Sequence, residues 1–185
     1  MAATSQGGGV DVSGAVYGSA RVPLLPVIGI DSREQAPLKF EHLHSERMTL
    51  QTGDYSIKGL EARFMVERKG GGDMLHSLTT ERARFNRELE RARGFEFARL
   101  LWVCSESELD YLLHHRKMSP ASLWGSLAAI DARVMPVVRV DTPAQAAELL
   151  ECWAVYFWAG VLKPFIKLSV PEWARDVAKR SLFKK

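Results

Sequence analysis

Three carboxylates and one lysine lie within twenty residues near the middle of the chain, at Asp54, Glu67, Lys69 and Asp73. Carboxylates held at close range repel each other, so a fold tolerates them best where a cation lies between them. Their oxygen atoms are the hard ligands that Mg²⁺ prefers, and a divalent ion can activate water and stabilise charge on a phosphate. The segment therefore predicts a Mg²⁺ or Mn²⁺ site suited to phosphodiester hydrolysis. Asp54 and Glu67 would be metal ligands with Asp73 as a third, and Lys69 would hold the attacking water or the phosphate.

The sequence around these residues predicts a β-hairpin. Two strands are expected at residues 53–57 and 63–69, and residues 58–61 supply the turn between them. If the turn is centred between Gly59 and Glu61, Asp54 lies opposite Met65 or Glu67. Because side chains alternate between the two faces of a strand, Glu67 and Lys69 should point the same way. The hairpin would thus bring the lysine and two carboxylates to one place.

Other short apolar runs predict strands at residues 27–30, 100–104 and 136–140, and periodic stretches predict helices at 73–78, 81–93, 119–131 and 142–162. Strands and helices alternate after the hairpin, which indicates an α/β fold with helices flanking a mixed sheet. The first strand is followed by Asp31, Arg33 and Glu34, so its carboxyl end should deliver charged groups.

The helix at residues 81–93 carries arginines at several angles around its axis. Arg82 precedes Phe85 by three residues and Leu89 by seven, so the helical period predicts that it shares their inward face. The remaining arginines are expected on a solvated face, or alternatively on a track that contacts phosphate; they are Arg84, Arg87 and Arg91.

The length of 185 residues, with 46% hydrophobic and 25% charged, is typical of one globular domain with tails. We expect a flexible leader at residues 1–22, the domain at 23–165 and a basic tail at 166–185. A net charge of +3 permits nucleic acid as a partner without arguing for it. The longest apolar stretch, 149–162, is shorter than the roughly 20 residues of a membrane span, so no membrane association is expected. Cys104 and Cys152 are predicted to be reduced core residues of an intracellular protein.

Asp54 followed by Glu67-x-Lys69 on the next strand is similar to the active-site pattern of the PD-(D/E)xK nucleases, which share the restriction-endonuclease-like fold. The chain resembles one branch more closely, the XPF-type structure-specific endonuclease domain. This resemblance extends over about residues 26–160 and rests on four elements: Asp31-x-Arg33-Glu34, Gly53-Asp54-Tyr55, Glu67-Arg68-Lys69 with Asp73 after it, and Arg82.

The resemblance implies a metal-dependent DNA endonuclease in which Asp54, Glu67 and Asp73 bind Mg²⁺ or Mn²⁺ and Lys69 serves the chemistry. It places Asp31 and Glu34 in the same catalytic group. It also implies that arginines surround the site and contact DNA phosphate or orient ligands, namely Arg33, Arg68 and Arg82. Branched or flap DNA, with junctions between single and double strands, is the implied substrate, in repair or recombination.

Two departures from the family pattern leave an alternative open. Family members often carry an acidic residue at the end of the strand that here ends at Ser105, but this chain has none until Glu106. We also find no tandem helix–hairpin–helix module, which larger relatives use to grip DNA. In addition, Gly53 stands where the formal motif has proline. The alternative is a non-catalytic subunit that binds DNA or acts as a scaffold on the same fold. Retention of Asp54, Glu67 and Lys69 disfavours it, because pseudo-nucleases are expected to lose the metal carboxylates or the lysine.

A homodimer is a further expectation. The helix at residues 144–162 is rich in aromatic residues and has apolar side chains on more than one face, so a second copy could cover part of it.

Overall fold

The protein is described by a computed structural model over residues 15–17, 20–22, 25–115, 118–164 and 170–183. Two short strands come first, β1 (Ala15–Tyr17) and β2 (Ala20–Val22), and they pair with each other in antiparallel fashion. They lie within the segment expected to be a flexible leader, at residues 1–22. Residues 1–14 of the leader lie outside the described part of the chain.

Six further strands form the main sheet: β3 (Ile28–Asp31), β4 (Ser45–Met48), β5 (Tyr55–Ile57), β6 (Phe64–Gly70), β7 (Phe97–Val103) and β8 (Val137–Val140). Their order across the sheet is β4-β3-β5-β6-β7-β8. Strand β5 runs antiparallel to both of its neighbours, and the other pairings are parallel. The sheet is therefore mixed, as predicted.

Six helices cover the two faces of this sheet: α1 (Gly71–Leu78), α2 (Arg82–Ala92), α3 (Glu106–His115), α4 (Pro120–Arg133), α5 (Pro143–Leu162) and α6 (Glu172–Phe183). Helices α1 to α4 share one core with the face of β7 that carries Trp102. Helices α5 and α6 share the other core with the opposite face, which carries Leu101. This three-layer α/β arrangement confirms the predicted fold class.

Two of the long helices begin where the sequence places them. The Ser119 side chain accepts a hydrogen bond from the Ser122 backbone N–H at the start of α4, followed by proline at the first turn. Thr142 and Gln145 form a reciprocal capping box at the start of α5. Because these caps satisfy backbone N–H groups that the first turn leaves free, both starting points follow from local sequence.

The sequence did not predict α3, α6 or β4. Helix α6 lies in the segment expected to be a basic tail, yet it packs on α5, burying Ala174 and Val177. The described residues of this segment, 170–183, therefore pack against the rest of the fold. The two cysteines are free and buried, as predicted, and burial raises the pKa of each thiol to about 11. In the described part of the chain, no helix has the length and hydropathy that a membrane span requires.

Candidate active site

The β5–β6 hairpin sets the first geometric relation of the site. Tyr55 pairs with Val66, so continuing the antiparallel register places Asp54 opposite Glu67, one of the two predicted positions. The Asp54 N–H donates to the Val66 carbonyl at 3.0 Å, and one Asp54 carboxylate oxygen accepts from the Arg68 N–H at 2.7 Å. The carboxylate is thereby fixed on the hairpin backbone rather than free to rotate.

Gly53 explains how the chain delivers Asp54 without the proline of the formal motif. Its φ of +82° lies in the left-handed region, which proline cannot adopt because its ring holds φ near −65°. The turn into β5 therefore has a different backbone path from one that begins with proline. The next residue, Asp54, lines the opening beside β6.

That opening, which we call the hairpin cleft, has a volume of about 240 Å³. It lies between the β5–β6 hairpin, the chain before β5 and one flank of α2. Four cationic and four anionic side chains line it together with Gln51, Thr52 and Gly53; they are Arg33, Lys69, Arg84 and Arg91, and Asp31, Asp54, Glu67 and Glu88. The lining carries no net charge, so its attraction for a polyanion depends on any cation that joins it.

The two carboxylates of the hairpin, Asp54 and Glu67, repel each other. Burial, followed by the nearby negative charge of Glu67, raises the pKa of Asp54 from 3.8 to about 7. The hydrogen bond from the Arg68 N–H acts in the opposite direction but does not offset these effects. A carboxylate in this position gains from any positive charge placed between it and Glu67.

Lys69 places a positive charge beside Glu67. Its Nζ lies 2.8 Å from Glu67 Oε1 and 3.9 Å from Glu88 Oε2, and it stands 5.4 Å from the centre of the Phe85 ring. Burial opposes the charged form of the amine, but the ion pairs with Glu67 and Glu88 more than compensate, so the pKa of Lys69 is raised. Lys69 is therefore a cation here, suited to holding a phosphate or a water and not to accepting a proton.

Asp31 and Arg33 hold the loop that carries Asp54. The Asp31 carboxylate is buried and accepts from the Arg33 N–H, from the Arg33 guanidinium and from the Leu50 N–H, at 2.7–3.1 Å. The Asp31 N–H donates to the Asp54 carbonyl at 2.8 Å. Because both Asp31 oxygens are engaged, this residue positions the loop. These contacts favour a positioning role for Asp31 over the catalytic role that was expected.

Glu34 and Arg68 were expected to surround the site, and the negative charge of Glu34 does contribute to the raised pKa of Asp54. Arg68 follows Glu67 on the strand, and alternation sends its side chain to the opposite face of β6. There it pairs with Glu34 at 3.3 Å, and Glu34 also accepts from the Ala36 N–H at 2.8 Å. Neither side chain lines the cleft. The Arg68 N–H, rather than its guanidinium, is the group that reaches the site.

Asp73 and Arg82 are also outside the cleft. Asp73 is an exposed residue in the first turn of α1 and does not converge with Asp54 and Glu67. The prediction that Arg82 points inward is wrong, because Arg82 is exposed at the first residue of α2. It lines a different opening, between α2 and α4. The helical period gives the angle of Arg82 correctly, but the core does not extend to that end of the helix.

Three residues of α2 that were not part of the sequence motif also line the cleft; they are Arg84, Glu88 and Arg91. They follow one another at intervals of four and three residues, so they share one flank of the helix. Arg84 pairs with Glu88 at 3.2 Å and with Glu81 at 3.2 Å. Of the two alternatives for the outer arginines, the phosphate track fits Arg84 and Arg91, whereas Arg87 lines neither opening.

A divalent ion fits the donors that the cleft offers. Asp54 and Glu67 present hard oxygen atoms on facing strands. The pKa of Asp54 is raised first by burial and then by repulsion from Glu67, and a cation would relieve that repulsion. Within the described ranges, no three Asp, Glu, His or Cys side chains come together closely enough to hold a metal by themselves. Two carboxylates are nevertheless a usual protein contribution to a Mg²⁺ site, since Mg²⁺ keeps several waters.

The fold and the carboxylate-plus-lysine hairpin define the class of protein, a restriction-endonuclease-like α/β domain of the XPF nuclease type. The family follows from sequence: the model of the ERCC4 domain matches residues 30–152, and the chain belongs to that family. The match includes the hairpin, α1 to α4 and half of α5. None of the curated proteins is significantly similar to the chain in sequence.

Two solved structures of XPF from Aeropyrum pernix share the fold. The first superposes with a TM-score of 0.61 at 19% identity, covering 80% of this chain and 68% of that one. The second, in complex with DNA, gives a TM-score of 0.56 at 18% identity and covers 86% of each chain. At this identity the likeness establishes the fold and leaves the chemistry to the residues of this chain.

Proposed function

We propose that the protein is a metal-dependent DNA endonuclease that hydrolyses phosphodiester bonds in the hairpin cleft. The observation that carries this proposal is the placement of Asp54 and Glu67 on facing strands, with Lys69 beside Glu67 at 2.8 Å. Membership in the ERCC4 domain family, whose members are nucleases, supports it.

Asp54 and Glu67 would hold Mg²⁺ or Mn²⁺. When bound, such an ion supplies a polarised water and offsets the charge that builds on the phosphate. Lys69, as a protonated amine, would hold the non-bridging phosphate oxygens or orient the water that attacks. Arg33, Arg84 and Arg91 line the same opening and would contact the phosphates on either side of the scissile bond.

The preferred DNA is proposed to be branched, with a junction between single and double strands. The support is family membership together with the Aeropyrum pernix XPF structure that contains DNA. A cleavage panel of flap, fork, Holliday-junction and plain duplex DNA, each with Mg²⁺ or Mn²⁺, tests both the activity and the preference. Equal cleavage of plain duplex would remove the branch preference and keep the nuclease.

Asp54→Ala and Lys69→Ala are the informative variants for this panel, and Lys58→Ala is their matched control. Lys58 pairs with Glu46 on the surface and does not line the cleft. We expect metal-dependent nicking by the protein and by the control, and none by the two cleft variants. The proposal fails if no metal ion and no substrate supports nicking, or if the cleft variants nick at the normal rate.

A non-catalytic subunit that binds DNA is the second candidate. One observation favours it: Asp73 does not join Asp54 and Glu67, so the described carboxylates do not form a complete three-ligand set. This candidate predicts DNA binding without cleavage for every metal ion in the panel. It also predicts that Asp54→Ala leaves the biological role intact.

The expectation of a homodimer also stands as a proposal. Tyr156 is 43% exposed on α5, whereas its neighbours Phe157 and Trp158 are partly buried against the core. Light scattering at micromolar concentration tests it, and a monomeric mass would count against it.

A further inference from the structure

A second opening lies on the other flank of α2, between that helix and α4, and we call it the α2–α4 groove. Its volume is about 270 Å³. Three arginines line it, one at each end of α2 and one on α4, with a single glutamate and two neutral polar residues; they are Arg82, Arg93, Arg133, Glu90, Asn86 and Ser126. Its floor is apolar. The groove therefore combines a surplus of positive charge with neutral hydrogen-bonding groups.

The arginines of the groove are only partly neutralised. Arg93 pairs with Glu90 at 2.9 Å. Arg82 makes a long hydrogen bond of 3.4 Å to the Leu78 carbonyl and no ion pair with any described residue. Arg133 has neither an ion pair nor a side-chain hydrogen bond to any residue in the described part of the chain. At least two guanidinium groups are thus available to an anion, which could bind each of them through two N–H donors.

The two openings share α2 as their common wall. Arg84 and Arg91 face the hairpin cleft, and Arg82 and Arg93 face the α2–α4 groove. An α-helix with its side chains is about 10–12 Å across, so a chain of phosphates that leaves the cleft over α2 reaches the groove within a few nucleotides. The exposed Arg87 lines neither opening. Continuity of positive charge across the helix favours a polyanion that extends through both openings over a small isolated anion.

We propose that the α2–α4 groove binds the phosphate backbone of the DNA flanking the site of cleavage. The arginines would contact phosphate oxygens, and Asn86 and Ser126 are suited to hydrogen bonds with phosphate or sugar. Such contacts position the strand and carry no base preference. This inference rests on the proposed function, because it takes DNA as the molecule in the cleft, but its test measures binding and does not require cleavage.

The experiment measures DNA affinity by fluorescence anisotropy in EDTA, where cleavage cannot occur, at several salt concentrations from 50 to 200 mM. The probe is a labelled duplex with a single-stranded overhang. The variants are Arg133→Gln, far from the cleft on α4, and the double variant Arg82→Gln/Arg133→Gln. The matched control is Lys58→Gln, which removes one positive charge from the surface outside both openings, where Lys58 pairs with Glu46. Circular dichroism and thermal melts establish that each variant is folded.

We expect the double variant to bind about tenfold more weakly at the lowest salt, and Arg133→Gln to show about half of that effect on a logarithmic scale. The plot of log affinity against log salt should become less steep by about 0.7 to 0.9 for each phosphate that the variant no longer neutralises. Lys58→Gln should change neither quantity by more than twofold. Equal weakening by Lys58→Gln, or an unchanged salt slope in the double variant, would overturn the proposal.

Two further measurements distinguish this proposal from a general site for acidic chains and from the proposed nuclease function. Polyglutamate of matched charge should compete poorly with the DNA probe; equally effective competition would replace the nucleic-acid site with a general site for acidic chains and overturn the proposal. The second measurement is cleavage of the same probe in Mg²⁺. If the protein binds DNA through the groove but never cleaves, the groove proposal stands while the proposed nuclease function fails.

Discussion

The hairpin cleft and the α2–α4 groove lie on opposite flanks of one helix, yet their charges are arranged for different tasks. In the cleft, four cationic and four anionic side chains balance, and Lys69 and Arg84 are held in short ion pairs with carboxylates. In the groove, three arginines face one glutamate. A balanced, internally paired site attracts a polyanion weakly, whereas a surplus of unpaired arginine attracts it strongly and at long range.

This difference suggests a division of labour. The charged side chains of the cleft serve catalysis. The lining becomes net positive when a metal ion binds to Asp54 and Glu67. The groove supplies affinity before any metal arrives. Binding and cleavage should therefore respond separately to substitutions on the two flanks of α2.

The largest separation is expected for Lys69→Met, which keeps the bulk of the side chain and removes its charge. Loss of a group that stabilises charge in the transition state costs about 10²- to 10³-fold in rate, so nicking of branched DNA should fall by at least that factor. DNA affinity in EDTA should change less than threefold. The measurement is single-turnover cleavage beside anisotropy, with Lys58→Met as the control. If Lys69→Met lost as much DNA affinity as the groove variants, binding and catalysis would not be divided between the two openings.

Asp31→Asn should give the largest effect on stability, because it disrupts the contacts that fix the loop before Asp54. A buried carboxylate that accepts several hydrogen bonds loses its charge, and the new amide group opposes N–H donors, at a cost of about 2–4 kcal/mol. Urea unfolding at pH 7 measures it. The exposed Asp141, which pairs with Arg139 at 3.4 Å, supplies the control Asp141→Asn, expected to cost under about 0.5 kcal/mol.

The pH dependence of this effect has a definite sign. The hydrogen bond from the Arg33 side chain outweighs burial, and together with two backbone N–H groups it lowers the pKa of Asp31 from 3.8 to about 2. A lowered pKa contributes stability that is present above the unfolded value and is lost as the pH falls towards the folded value. The stability difference between the protein and Asp31→Asn should therefore shrink between pH 4 and pH 2. A difference that stayed constant over this range would assign the cost to packing rather than to charge.

Divalent ions should stabilise the cleft and leave the groove unaffected. Because the pKa of Asp54 is raised to about 7, its ionisation lowers the free energy of unfolding as the pH rises from about 4 to 7. A bound cation reverses this repulsion. At 10 mM Mg²⁺ and pH 8, a site with a millimolar Kd gains about 1.4 kcal/mol, or roughly 3–6 °C in melting temperature.

The comparison for this melt uses one variant from each side of α2. Glu67→Gln should abolish the rise in melting temperature, whereas Arg82→Gln/Arg133→Gln should retain it. At pH 5, where Asp54 is largely protonated, the rise should be small even in the unchanged protein. An equal rise at pH 5 and pH 8 would contradict a metal site that includes Asp54.

The sequence predicted the geometry of the β5–β6 hairpin better than it predicted which residues of α2 line the cleft. Turn chemistry and alternation along the strands were enough to place Asp54 opposite Met65 or Glu67, of which the structure selects Glu67, and to put Lys69 on the same face as Glu67. Both relations depend on residues close in sequence and on a fixed period of two. Gly53 meets a local requirement through its φ of +82°, and a tertiary one as well, because a Cβ there would lie 3.1 Å from Met65 Cε and 3.2 Å from the Val66 carbonyl oxygen.

Local patterns do not determine which flank of α2 meets β6 and which meets α4. Helical period assigns Arg82 to the angle of Phe85 and Leu89, but not to a position along the axis where the core has already ended. It also shows Arg84 and Arg91 as outward without saying what lies opposite them. That information comes from tertiary packing, and the same reason explains why Asp73 was grouped with carboxylates that it does not meet.

Glu88→Gln is expected to have the smallest effect, and it tests how the cleft changes when a metal binds. Lys69 lies 2.8 Å from Glu67 and 3.9 Å from Glu88, so the two carboxylates share one ammonium. If Glu67 turns towards a cation, Lys69 can move to Glu88 and remain paired. Without Glu88, Lys69 depends on Glu67 alone and competes with the metal for it. The Mg²⁺ concentration that gives half-maximal cleavage should therefore rise about two- to fivefold, while the rate at saturating Mg²⁺ changes little.

Glu90→Gln removes the same charge from the groove side of α2 and serves as the control, because Glu90 lines only the groove. It should leave the Mg²⁺ requirement unchanged and should strengthen DNA binding by about twofold, since Arg93 loses its partner. Glu88→Gln, by contrast, should affect the metal far more than the DNA. If both glutamine variants shifted the Mg²⁺ requirement equally, the effect would be one of overall charge, and the two flanks of α2 would not be electrostatically distinct.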